Sequence, residues 1–101
     1  MSVSLKKNNE NSQLSISVKG PFNFSIYNEF RDKYSDPSYK DFEIIIDLKD
    51  CTMIDSSALG MLLIMKKYLD KKDGEVTLIN ANSDVMNVLD IVHFEQKFTI
   101  K

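Results

Sequence analysis

Asp55-Ser56-Ser57, together with the isolated Cys51 and His93, are the groups of this chain whose types could do chemistry. A serine beside an aspartate raises nucleophilic hydrolysis, but that chemistry needs a histidine within hydrogen-bond reach of the hydroxyl. His93 is the single histidine, and no Gly-x-Ser-x-Gly elbow surrounds Ser56. A catalytic Ser56 is therefore set aside and no enzymatic activity is expected; His93 reads as a turn or interface residue. Cys51 and His93 cannot build a tetrahedral metal site between them. Gly20, Gly60 and Gly74 form no glycine-rich phosphate loop. Asp47, Asp50 and Asp55 raise magnesium, yet read more simply as strand-end and cap carboxylates. Neither cofactor nor metal is expected.

What Asp55, Ser56 and Ser57 do have in common is a side-chain oxygen able to accept from the unpaired N–H groups of a first helical turn. Any of the three could be the cap. The run from Phe42 to Leu48 before them, with Ile44, Ile45 and Ile46 consecutive, predicts a strand covered on both faces. A helix of about four turns is predicted after them. Strand, turn and helix would present the Asp-Ser-Ser element at a helix end, where N–H groups also favour anions.

That helix has more apolar residues than one core stripe requires. Ala58, Met61, Leu62, Met65, Tyr68 and Leu69 cluster as the core face, while Lys66, Lys67, Asp70 and Lys71 mark the water side. Ser56, Leu59, Gly60, Leu63 and Lys67 fall at i, i+3, i+4, i+7 and i+11 and share an outward face. Small Gly60 would let another surface approach closely. Leu59 and Leu63 belong either to a partner surface or beneath a covering loop, and projection does not choose between them.

Asp47-Leu48 followed by Met53-Ile54-Asp55-Ser56-Ser57-Ala58-Leu59-Gly60 resembles the signature of the STAS domain, specifically the small single-domain anti-sigma factor antagonists. The resemblance covers nearly the whole chain, with an early Gly20 turn and a late Val92-His93-Phe94 turn. It implies that Ser56, the first serine of the element, is phosphorylated by a partner kinase that is often also the anti-sigma factor, and that a serine phosphatase removes the phosphate. The partner surface expected is Asp55, Ser57, Leu59, Gly60, Leu63 and Asn23, with Leu59 and Leu63 placed there by the face they share with Ser56. Two positions depart from the family pattern. Ala58 stands where many members have glycine, and Asn23 stands in a turn where several carry an acidic residue.

With 101 residues the chain reads as one small domain spanning 1–101. Its 43% hydrophobic and 28% charged residues are ordinary globular material. A formal charge of −2 and a pI near 5.3 provide no basic field for phosphate backbones, so direct nucleic-acid binding is not expected. The single Cys51 excludes an internal disulfide and fits a reducing compartment, as a small apolar residue at a strand end. No apolar leader or bilayer-length stretch is found, so a cytoplasmic protein without membrane association is expected.

In chain order, a strand over residues 2–6 and a turn at 8–11 lead into the clean alternation of Leu14 to Lys19, which Gly20-Pro21 ends. Asn23 or Ser25 can cap a helix reaching Tyr34, stopped by Asp36-Pro37. A turn over residues 72–74, a strand over 75–79, a helix capped within Asn82-Ser83-Asp84 and a last strand over 98–100 complete the chain. The fold class is α/β: a mixed, mostly parallel sheet of about five strands with helices mainly on one face. The function expected is a partner switch, in which the unmodified protein binds an anti-sigma factor and phospho-Ser56 releases it. The alternative is a sensor or scaffold module binding a nucleotide or other small ligand at the same helix end.

Overall fold

The computed structural model describes residues 2–101. In chain order the elements are β1 (Val3–Asn8), β2 (Gln13–Val18), β3 (Gly20–Phe22), α1 (Tyr27–Tyr34), β4 (Glu43–Asp47), β5 (Cys51–Ile54), α2 (Ser56–Tyr68), β6 (Val76–Ile79), α3 (Ser83–Ile91) and β7 (Thr99–Ile100). Five strands form one sheet in the order β1-β2-β4-β6-β7. The β1–β2 hairpin is antiparallel, and each later pairing in this sheet is parallel. The expected mixed, mostly parallel α/β architecture is the one observed.

Strand alternation explains why the helices gather on one side. Leu14, Ile16, Ile44, Ile46, Val76 and Leu78 are buried on one face of the sheet, in register across β2, β4 and β6. Phe30 and Tyr34 of α1, Ala58, Met61, Leu62 and Met65 of α2, and Val85 and Leu89 of α3 join the same apolar cluster. Ser15, Ser17, Ile45, Asp47, Thr77 and Ile79 line the opposite face and are half-buried. The three consecutive isoleucines of β4 are therefore not covered on both faces: Ile45 points away from the helices.

Gly20-Pro21 does not simply end a strand. Gly20 takes φ +80, a region glycine enters without strain, and its N–H donates to the Asp50 carbonyl at 2.9 Å. The chain then continues as β3, which pairs in parallel with β5 to make a second, two-stranded sheet. Helix formation after Asn23 is also more broken than expected. The Asn23 side chain caps one 3-10 turn, Phe24–Ile26, before α1 begins at Tyr27. Asp36 caps a further 3-10 turn at Pro37–Asp41.

Tyr68 of α2 and Lys71, just past its end, sit elsewhere than projection placed them. Tyr68, expected in the core, is exposed; its ring packs edge-on to Tyr34 and its hydroxyl donates to the Ser35 carbonyl at 2.5 Å. A phenol with a polar tip gains more at the rim than inside. Lys71, expected on the water side, is half-buried and its Nζ donates to the carbonyls of Lys40 and Phe42 at 2.8 and 2.6 Å. The end of α2 is thereby fastened to the entry of β4.

Candidate functional site

Asp55 resolves the choice of cap. Its backbone is extended, with φ −119 and ψ −177, and its Oδ1 accepts from the Ala58 N–H at 3.0 Å and from the Ser57 hydroxyl at 2.6 Å. These two bonds, the Ser57 hydroxyl first, hold the Asp55 carboxyl below the usual carboxylate range. Ser57 is half-buried and engaged, whereas Ser56 opens α2 with its side chain exposed. No side-chain hydrogen bond involves Ser56 among the described residues. Two adjacent serines thus have different chemistry, one locked to a carboxylate and one free.

β3 and β5 position this corner from below. The Asp55 N–H donates to the Phe22 carbonyl at 3.4 Å, which sets Asn23, the next residue, beside the start of α2. Asn23 Oδ1 accepts from the Ser25 N–H at 3.0 Å and from its hydroxyl at 2.5 Å. The amide oxygen is thus occupied in local capping. On the other side, the Asn82 side chain caps α3 by accepting from Val85 N–H at 2.8 Å, and its Nδ2 donates to the Cys51 carbonyl at 3.1 Å. Cys51 is buried, as expected; its thiol donates to the Met53 carbonyl at 3.3 Å, and burial pushes its pKa up.

The outward residues of α2 divide. Leu59 is half-buried and packs against the core, Gly60 would have no atom within 4 Å of an added Cβ, and Leu63 is 41% exposed. Ile64 is more exposed still, at 53%. Phe24, which stacks on Tyr27 with ring centroids 5.1 Å apart, and Met53 are exposed as well. Sequence reading missed all three of these apolar groups. Ile64 lies four positions beyond Gly60 and could have been found from that spacing. Phe24 and Met53 sit in a single 3-10 turn and a four-residue strand, too short to show a period.

His93 lies past the opposite end of α3 from the Asn82 cap. It follows α3 in a left-handed turn, φ 57, with Glu95 at 3.7 Å, and is exposed. The nine residues of α3 span about 13 Å from the end that Asn82 fastens to β5. Asp47, meanwhile, accepts from Lys49 N–H and Asn80 Nδ2 at a strand end. Among the described residues no three His, Cys, Asp or Glu side chains come together as a metal site.

The family model for the STAS domain matches residues 2–101. A STAS-domain containing protein of Pseudomonas aeruginosa is 32% identical over 100 residues, which is 99% of either chain. Among solved structures, a candidate anti-sigma factor antagonist of Thermotoga maritima superposes with a TM-score of 0.73 at 19% identity, over 97% of this chain and 84% of that one. The unphosphorylated anti-sigma factor antagonist SpoIIAA gives a TM-score of 0.73 at 16% identity, over 98% and 87%.

Proposed function

We propose that this chain, which belongs to the STAS domain family, is a partner-switching regulator: the unmodified protein binds an anti-sigma factor or comparable regulator, and phosphorylation of Ser56 ends that binding. The family and its fold are those of non-enzymatic regulators. One observation carries the reading, namely that of two neighbouring serines at the start of α2 only Ser56 offers an exposed, unengaged hydroxyl. Asp55 holds Ser57 out of competition and fixes the helix end. Leu63, Ile64 and Gly60 then supply an apolar surface of low relief on the turns that follow.

Electrostatics and desolvation suffice for the switch. A phosphate adds roughly −1.5 to −2 charges beside acidic Asp55. A partner shaped to a hydroxyl must desolvate that charge, and even ~3 kcal/mol left uncompensated weakens binding more than a hundredfold. The one arginine of the chain, Arg31, lies in the last turn of α1. The helix N-terminus favours the phosphate, so the fold survives modification. A serine phosphatase resets the cycle. The small-ligand alternative draws less support: the grooves around Leu63 and Lys67 and around Phe42 and Glu75 include neither Asp55 nor Ser56. The test is phosphopeptide mapping after incubation with the cognate kinase. Phosphate on Ser56 is expected, and phosphate confined to Ser57 would overturn the assignment.

A further inference from the structure

Below Ser56 on the same helix lies a second feature that the switch does not require. Leu63, Lys66, Lys67, Asp70, Lys71 and Lys97 line an open groove of about 280 Å³ between the second half of α2 and the segment leading into β7. Four ammonium groups against Asp70 and the neighbouring Asp73, whose carboxyl is held low by Lys66 and Lys97, leave it net basic on a chain whose formal charge is −2. Two of the four have structural work. Lys66 pairs with Asp73, and Lys71 donates to the carbonyls of Lys40 and Phe42. Lys67 and Lys97 form no salt bridge among the described residues, and both are exposed.

We propose that this groove docks an acidic, leucine-bearing segment of the partner protein, with Lys67 and Lys97 meeting carboxylates and Leu63 meeting an apolar side chain; this rests on the partner-switching reading for the partner's existence. Charge complementarity selects the occupant. A compact multivalent anion such as a nucleotide triphosphate is disfavoured, because the C-terminal end of α2 and the Asp70 carboxylate both face it with negative charge. No aromatic ring lines the groove to stack a base. A broad anionic membrane is disfavoured too, since Asp41, Glu43 and Glu75 line the adjoining groove that shares Lys71. Carboxylates spaced along an extended segment can reach Lys67 and Lys97 singly and avoid these negative groups. Leu63 connects the groove to the outward face that begins at Ser56, so one partner can cover both.

The experiment titrates 15N-labelled protein with a synthetic peptide of alternating glutamate and leucine, and with its glutamine counterpart. Saturable shifts of the Leu63, Lys67 and Lys97 amides with the acidic peptide alone are expected. Combined Lys67→Glu and Lys97→Glu substitutions should weaken the binding about tenfold, whereas Lys33→Glu on α1 should not. If the reversed chain melts abnormally, Lys67→Gln with Lys97→Gln carries the same comparison. Absence of saturable shifts, equal binding by the glutamine peptide or by the reversed chain, or shifts of these amides with ATP or phosphatidylserine vesicles in place of the peptide would overturn the proposal. Ser56 takes no part in this assay. Peptide binding that persists while phosphorylation leaves partner affinity unchanged would therefore refute the switch and support the groove, and the converse result would do the reverse.

Discussion

The Ser57 hydroxyl donates to the Asp55 carboxylate at 2.6 Å, while the same carboxylate oxygen accepts from the Ala58 N–H. A single acidic side chain thus caps α2 and engages one of two adjacent serine hydroxyls. Asp55→Ala should destabilise the fold by about 1 kcal/mol through loss of the cap, read as a lower urea midpoint at an unchanged slope. It should also let phosphate appear on Ser57 in kinase assays, where the native chain is expected to carry it on Ser56.

The depressed pKa of Asp55 gives a pH dependence of definite sign. A carboxyl whose folded pKa is below its unfolded value contributes stability above the unfolded pKa, and that contribution disappears as pH falls through the folded pKa. The native chain should therefore lose stability on acidification more steeply than Asp55→Asn, which retains an accepting oxygen without the titration. Urea melts of both proteins from neutral pH down to the acid range check this; parallel pH profiles would count against it.

Ser56→Asp should bind the partner much more weakly than the native chain, and Ser56→Ala should bind at least as well while ignoring the kinase. Phosphate carries more charge than the mimic, so the phosphorylated protein should show the larger loss. Calorimetric titration of the partner with all four forms measures the order.

Leu62 and Leu63 are sequence neighbours with opposite fates, one fully buried and the other 41% exposed. Leu62→Ala should cost about 2–5 kcal/mol of stability, whereas Leu63→Gln should stay within about 0.5 kcal/mol and reduce partner binding. Thermal melts together with partner titration separate the two.

Gly60→Ala meets no obstacle within 4 Å and lies inside a helix, so it should stabilise the isolated chain by roughly 0.5–1 kcal/mol. A partner that packs onto the backbone there should bind it less well. A melting temperature that rises while affinity falls is the expected pair of results.

The long periodic elements were legible in the sequence. Leu14-Ser15-Ile16-Ser17-Val18 alternates because one face meets the core, and the apolar stripe of α2 includes Ala58, Met61, Leu62 and Met65, as its spacing demands. β3 and β5 were not, because three and four residues cannot display a period and Pro21 argues against a strand. Their pairing is set by tertiary context: Phe22 and Ile54 are buried side by side. At the site, the Asp-Ser-Ser element announced a helix start, yet the choice among three caps needed the Asp55 rotamer. Helical projection put Leu59 and Leu63 together, but neighbouring elements cover the first and leave the second exposed.

The β3–β5 ribbon joins segments about thirty residues apart, so its closure carries a loop entropy that a short hydrogen-bonded ladder offsets only in part. The serine platform consequently rests on a miniature sheet with its own hydrogen-bond ladder, joined to the main sheet through the shared core of Phe22, Cys51 and Ile54. Amide protons of Gly20, Phe22, Asn23 and residues 51–55 should exchange through local opening well before those of β2 and β4. That order of exchange would mark the corner that carries the hydroxyl as a unit opening separately from the five-stranded sheet behind it.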